Sequence, residues 1–179
     1  MTQVGSVYGE ALYDLAKAED LSDRILKELE VLNQSFGEEP GFLRLLSAPN
    51  VSKEERCSVV DQSFRDKVHP YILNFLKLLT QKGYVRHFSD CCAAYRDHYN
   101  QDNGILPVTA VTAVPMSDQQ AAKLMAKLSE LTGKKVELTN RVDPDIMGGV
   151  RLDYDGKRLD DSIAHRLDAV RSLLKNTVL

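Results

Sequence analysis

The chain has 179 residues, 43% hydrophobic and 27% charged, the proportions of an ordinary globular protein with one sizeable core or two small ones. Its formal net charge of −3 has the wrong sign for a duplex nucleic-acid binder, and no apolar run approaches the ~18 residues of a membrane span. Glu10, Asp14, Glu19 and Asp20 come early, without a basic start or apolar block, so the expectation is no signal or transit peptide and a cytoplasm-like compartment.

The first hundred residues read as successive short helices. In VYGEALYDLAKAE, Tyr8, Ala11, Leu12, Leu15 and Ala16 recur at three and four. This stripe mixes aromatic and small side chains, which could pack inward or leave a groove for a partner helix; the pattern leaves both open. SDRILKELEVLNQSFG follows, with Ser22 expected as N-cap, Ile25, Leu29, Leu32 and Phe36 on one face, and Gly37 as the stop. GFLRLLSAP gives a turn or two, ended by Pro49. Ser52 and Glu55 have the spacing of a capping box and open a helix with Val59, Val60 and Phe64 inside. Pro70 suits a first helical position before YILNFLKLLTQKG, which Gly83 closes. A sixth helix is predicted from Val85 or Ser89 to Asn100, with Cys92, Tyr95 and Tyr99 at helical spacing.

Six such helices on short turns predict a compact bundle, and NQDNG marks its end, giving domains 1–103 and 104–179. The acidic excess lies wholly in the first of them, so the two regions could meet different partners. Beyond the break the hydrophobic period changes. ILPVTAVTAV is a β-branched strand in which Pro107 suggests an edge or a strand start. Ser117 and Gln120 repeat the capping-box spacing before a helix with Ala121, Leu124, Met125, Leu128 and Leu131, closed by Gly133. KKVELTNRV alternates Val136, Leu138 and, less cleanly, Asn140. In GVRLDYDGKRLDD, Val150, Leu152 and Tyr154 face one way and Asp155-Gly156 makes a turn. Ser162 is expected to cap a last helix with Ile163, Leu167, Val170, Leu173 and Leu174. The predicted class is α plus α/β: a six-helix bundle followed by a small β-α-β-β-α domain.

No catalytic set emerges. Gly148-Gly149 precede a strand, whereas phosphate-cradling glycines open a helix, so they read as a bulge or close backbone approach. Gly148, Gly149, Asp155, Gly156 and Ser162 are therefore read as structural residues. His69, His87, His98 and His165 show no ligand spacing, and no thiol or carboxylate near His87 and His98, eleven apart, has the spacing that completes a zinc set. Asp143-Pro-Asp145 lacks the third ligand and glycine of a calcium loop, and the Asp153-Tyr-Asp155-Gly156 stretch is explained by the hairpin turn. Cys57, Cys91 and Cys92 form no CxxC and are expected to be reduced and packed as small apolar residues. No metal or cofactor is expected, and no enzyme.

Three stretches together carry a family resemblance. VYGEALYDLAKAED is similar to the RYAxALFxxA opening of the delta subunits of bacterial F-type ATP synthases, the family of the mitochondrial oligomycin-sensitivity-conferring protein. LTQKGYVRHFSDCCAAYRDHYN resembles its central segment. VDPDIMGGVRLDYDGKRLDDSIAHRLDAVRSLL resembles its diagnostic end, D-x-x-I-x-G-G followed by a D-x-S helix start, so the likeness runs from about residue 4 to 174. Asp161, Ala164 and Asp153 depart from that pattern, where Gly, Arg and a basic or polar residue are usual.

The resemblance implies a stator subunit that couples the catalytic F1 head to the membrane Fo sector, so that proton-driven rotation yields ATP. It implies no activity or cofactor of its own, and a peripheral place on the cytoplasmic face of the cell membrane, held only through the complex. The N-terminal bundle would bind the N-terminal helix of an α subunit, and the C-terminal domain the C-terminal end of the b subunits. Carried over residue by residue, the α-helix groove falls on Tyr8, Ala11, Leu12 and Leu15, faced by Ile72, Phe75, Leu76 and Leu79. Two rival readings make other demands: a sensor-type module needs a buried polar-lined pocket in the bundle, and a small metal-dependent enzyme needs a carboxylate or histidine cluster.

Overall fold

The computed structural model describes residues 2–160 except Met147 and Asp155, and the chain divides at Tyr99–Asn100 into two compact units. The first is helical: α1 (Gln3–Ala18), α2 (Ser22–Glu38), α3 (Pro40–Leu46), α4 (Lys53–Phe64), α5 (Pro70–Lys82), a 3-10 turn (Val85–His87) and most of α6 (Phe88–Asp102). The second holds β1 (Ile105–Thr112), α7 (Asp118–Thr132), β2 (Lys135–Val142), β3 (Val150–Tyr154) and β4 (Lys157–Asp160). A mixed α plus α/β class is what these elements make, with β4 as a return strand that the β-α-β-β-α pattern does not count. The predicted last helix, with Ser162 and His165, lies outside the described residues, as does Asp155.

Local chemistry sets most helix ends. The Ser52–Glu55 and Ser117–Gln120 capping boxes both form, Pro70 starts α5, and Gly83 and Gly133 end their helices in the left-handed region at φ 74° and 66°. Three ends differ from the sequence pattern. α1 starts at Gln3 rather than Val7, because the Thr2 hydroxyl accepts from the Gly5 N–H at 3.2 Å. Ser22 is the first residue of α2 and not its cap: the chain leaves α1 through Asp20 at φ 55°, and the Leu21 N–H bonds back to the Ala16 carbonyl at 2.8 Å. Gly37 does not stop α2, which continues to Glu38 and gives way only where Pro40 opens α3.

The helical unit has one core, built on Ile25, Leu29, Val60, Ile72, Leu76, Leu79, Phe88 and Tyr95. Its aromatic part centres on Phe36, stacked on Phe42 at 5.6 Å and edge-on to Phe88 at 5.0 Å. Tyr95 is fully buried, and its hydroxyl donates to the Ser22 carbonyl at 2.9 Å, which satisfies the one polar atom burial would otherwise strand. α1 approaches α6 through glycines. A Cβ at Gly5 would strike the Asp90 side chain, and one at Gly9 would lie 2.5 Å from the Cys91 carbonyl oxygen.

In the second unit the sheet order is β2-β1-β3-β4, with β1 parallel to β2 across the α7 connection and antiparallel to β3. Leu106, Val108, Ala110, Val136 and Leu152 form one sheet face, covered by Leu124, Met125 and Leu128 of α7. β1 is thus an interior strand, contrary to what Pro107 suggests. Among the described residues its pairing with β3 runs from Val108 to Thr112, and with β2 from Ile105 to Thr112. Asn140, the uneven member of its strand pattern, is a tie: its amide donates to the Ala110 carbonyl and the Thr112 hydroxyl, both at 2.9 Å, and its Oδ1 accepts from the Met116 N–H at 2.9 Å. Gly148 and Gly149 lead into β3 at φ 125° and 86°, a backbone other residues resist.

Candidate partner-binding cleft

α1 is amphipathic on two counts. Gly5, Gly9, Leu12, Tyr13 and Ala16 are buried, which fixes the helix to its own unit. The flank beside them carries Tyr8, Ala11 and Leu15, and Leu15 is 44% exposed. An apolar side chain left in water beside a packed face is informative only when neighbours extend it. Here they do. Tyr8, Ala11, Leu12 and Leu15 line a cleft of about 340 Å³, whose other wall is Tyr71, Asn74, Phe75 and Leu78 of α5. Leu78 is 40% exposed, and the lining contains no carboxylate, histidine or thiol. The Tyr8 ring meets Tyr84 edge-on at 5.8 Å.

Of the residues that the resemblance singles out, Tyr8, Ala11, Leu12, Leu15 and Phe75 therefore share one cleft. Ile72, Leu76 and Leu79 do not line it: each is fully buried in the helical core, where it can hold the fold but cannot reach a ligand. Tyr71, Asn74 and Leu78, one or two positions back along the helix, stand there instead. The sequence carries a signal for them. Tyr71, Ile72, Leu73, Phe75, Leu76, Leu78 and Leu79 form an apolar arc wider than a helix needs for one core face, and the surplus is the cleft wall.

A second depression, between α4 and α5, has about 640 Å³ and is lined by Glu54, Asp61, Arg65, Asp66 and Lys77 among others. Its Lys77 Nζ lies 2.9 Å from an Asp61 oxygen, so those two charges are paired with each other.

The remaining chemistry-bearing residues have local duties. His69 caps α5 through Nδ1, His87 sits beside Asp90, and His98 stacks on Tyr13. Among the described residues no group of His, Cys, Asp and Glu has the arrangement of a metal site. The three cysteines are buried free thiols, and burial, helped by the Asp90 charge, pushes Cys91 up to about 11. Asp143 accepts from the Asp145 N–H at 3.2 Å, a turn contact. The hydrogen bond from Arg158 at 2.8 Å, with Arg151 and Arg141 behind it, holds the Asp153 carboxyl below the usual range. Gly148 and Gly149 enter a strand, so no helix N-terminus follows them to face an anion. Gly156 is left-handed at φ 69° beside the hairpin turn.

An apolar cleft between helices, with no carboxylate, histidine or thiol in its lining, has the character of a surface that receives an amphipathic helix. Residues 4–174 match the family model described as ATP synthase delta (OSCP) subunit. The chain is 32% identical over 176 residues to the ATP synthase subunit delta of Alkaliphilus oremlandii, covering 98% of both chains. It is 32% identical to that of Clostridioides difficile, covering 98% of this chain and 97% of that one. The fold is shared with a chain of the Toxoplasma gondii mitochondrial ATP synthase hexamer, at TM-score 0.74 and 23% identity over 97% of this chain and 98% of that one. Matched along nearly its whole length, the chain belongs to the ATP synthase delta (OSCP) subunit family, the non-catalytic peripheral-stalk component of F-type ATP synthases.

Proposed function

We infer that the helical domain, a six-helix bundle of residues 1–103, grips the N-terminal helix of an α subunit in the α1–α5 cleft, while the domain from residue 104 on receives the C-terminal end of the b subunits. The observation that carries this reading is the cleft itself: two exposed leucines, Leu15 and Leu78, face each other across an uncharged floor of Leu12 and Phe75. Apolar anchors at i, i+3, i+4 and i+7 on a partner helix would fill it and remove those leucines from water. A stator needs such a joint, because a rotary motor makes ATP only if its catalytic head is held against the torque of the rotor. No helix among the described residues is long and apolar enough to cross a membrane. The place proposed for the chain, from its family membership, is the cytoplasmic face of the membrane, held there through the complex.

Calorimetric titration of the full chain with a synthetic peptide copying the N-terminal helix of the same organism's α subunit tests the reading. One-to-one binding is expected, weakened about tenfold or more in Leu15→Asp, whose exposed position lets the variant fold. A peptide that leaves the wild-type chain without heat at several temperatures removes the cleft from the function.

A further inference from the structure

The cleft is only as well shaped as α1 is well placed, and α1 meets α6 in an unusual way. Side chains normally lock two helices in register, because knobs on one enter holes of the other. Along the N-terminal half of α1 the contacting residues are Gly5 and Gly9, packed on the Asp90 side chain and on the backbone of Cys91 and Tyr95. Glycine brings the backbones close but supplies no side chain of its own to hold α1 on α6. The C-terminal half differs: there Tyr13 meets Tyr95 edge-on at 5.3 Å and stacks on His98 at 5.9 Å.

A polar clamp stands where the knobs are missing. Asp90 Oδ2 accepts from the Thr2 hydroxyl at 2.7 Å and from the Thr2 N–H at 3.2 Å. Thr2 is also the residue that starts α1, its hydroxyl accepting from the Gly5 N–H at 3.2 Å. One carboxylate oxygen on α6 therefore holds the N-cap residue of α1. Tyr8, the cleft residue nearest that end, rides on the same rigid segment, where a slip of one residue is about 1.5 Å. The hydrogen bonds from Thr2 hold the Asp90 carboxyl below the usual range, so it stays ionised and a strong acceptor near neutral pH. His87 Nδ1 lies 3.9 Å from the same oxygen.

We propose that Asp90 is a positioning residue for partner recognition: through Thr2 it holds the N-terminal half of α1 in the register that gives the cleft its Tyr8 wall, without itself touching the partner helix. The proposal rests on the reading of the cleft as a helix groove. It also has a bland rival, since Asp90 is an acidic residue in the first turn of α6, where a negative charge favours the helix by itself. The two roles separate by variant. Asp90→Asn keeps an acceptor for Thr2 and loses the charge; Thr2→Val keeps the charge and the backbone N–H bond and loses the shorter hydroxyl bond to Asp90 together with the cap on Gly5.

Full-length chains carrying Asp90→Ala, Asp90→Asn and Thr2→Val would be titrated with the α-subunit helix peptide, and hydrogen exchange would be read in the first two turns of α1. Positioning predicts that Asp90→Ala and Thr2→Val each weaken the peptide about tenfold and speed exchange at the start of α1. Asp90→Asn then stays within about twofold of wild type. Wild-type affinity in Asp90→Ala overturns the proposal and leaves the groove standing, as does a loss in Asp90→Asn equal to that in Asp90→Ala with Thr2→Val unaffected. A wild-type chain that ignores the peptide overturns the groove reading and, with it, any recognition role for Asp90.

Discussion

At position 9 a methyl group would meet the Cys91 carbonyl oxygen at 2.5 Å and the Ala94 methyl at 2.7 Å, neither of which is the free end of a flexible chain. Alanine is the better helix former by ~1 kcal/mol, so the sign of Gly9→Ala depends on whether the clash exceeds that gain. Backbone atoms of α6 cannot yield without moving the helix, and overpacking of this kind costs about 1–3 kcal/mol. Gly9→Ala is therefore expected to lower the urea midpoint, while Gly37→Ala, with nothing within 4 Å of its Cβ, raises it by a few tenths to ~1 kcal/mol equivalent. The thiols of α6 predict a second effect. Burial raises Cys91 from 9.0 to about 11 and moves Cys92 and the Tyr95 phenol the same way. Above pH 9 the unfolded chain loses thiol protons that the native chain keeps until about 11, so stability is full below that window and falls as pH rises through it. Urea midpoints measured from about pH 8 to 11 should decline, with a shallower decline in Cys91→Ala; a profile as steep in the variant would assign the loss elsewhere.

At the scale of the element, Asn140 joins three parts of the second unit, the ends of β1 and β2 and the segment before α7. Asn140→Asp keeps the acceptor for the Met116 N–H but sets an oxygen against the Ala110 carbonyl and the Thr112 hydroxyl. The expected cost is about 1–3 kcal/mol, read as a lower thermal midpoint, and an unchanged midpoint would mean that the tie contributes nothing. Such a residue shows why some elements are legible from sequence and others are not. β2 is readable from Val136 and Leu138, whereas the worth of Asn140 depends on β1 lying beside it, a tertiary fact. Helix ends are readable where the cap is chemical, as at Ser52, Ser117, Gly83 and Gly133. They are misread where the turn is made by backbone bonds, as at Leu21, or where glycine sits comfortably inside a helix, as at Gly37. The α5 wall of the cleft falls between these cases. Its apolar arc is visible in sequence, but which side of the arc faces the core depends on where α1 stands, and α1 is placed by glycines that periodicity cannot see.

Across the whole molecule the useful quantity is the resistance of a joint to torque, and that follows from how the chain is connected to its neighbours more than from its own stability. A stalk subunit that holds its neighbours at two sites gains from effective concentration, since release at one site leaves the other to recapture it. A substitution confined to the α1–α5 cleft should then spare assembly at high protein concentration while weakening the joint under load. Leu15 and Leu78 suit the test, because both are exposed and neither belongs to the buried core. With Leu15→Asp/Leu78→Asp, two charges in the groove must be desolvated before a partner helix can seat, at about 1–3 kcal/mol for each polar group left unpaired. The catalytic head needs no stator to hydrolyse ATP, whereas proton-driven synthesis needs one. In vesicles reconstituted with the double variant, ATP hydrolysis by the head should therefore persist, while proton-driven ATP synthesis falls by about tenfold or more and recovers in part as the subunit is added in excess. Equal loss of both activities would mean that the variant disturbs the head itself, and unchanged synthesis would mean that the load passes through another surface.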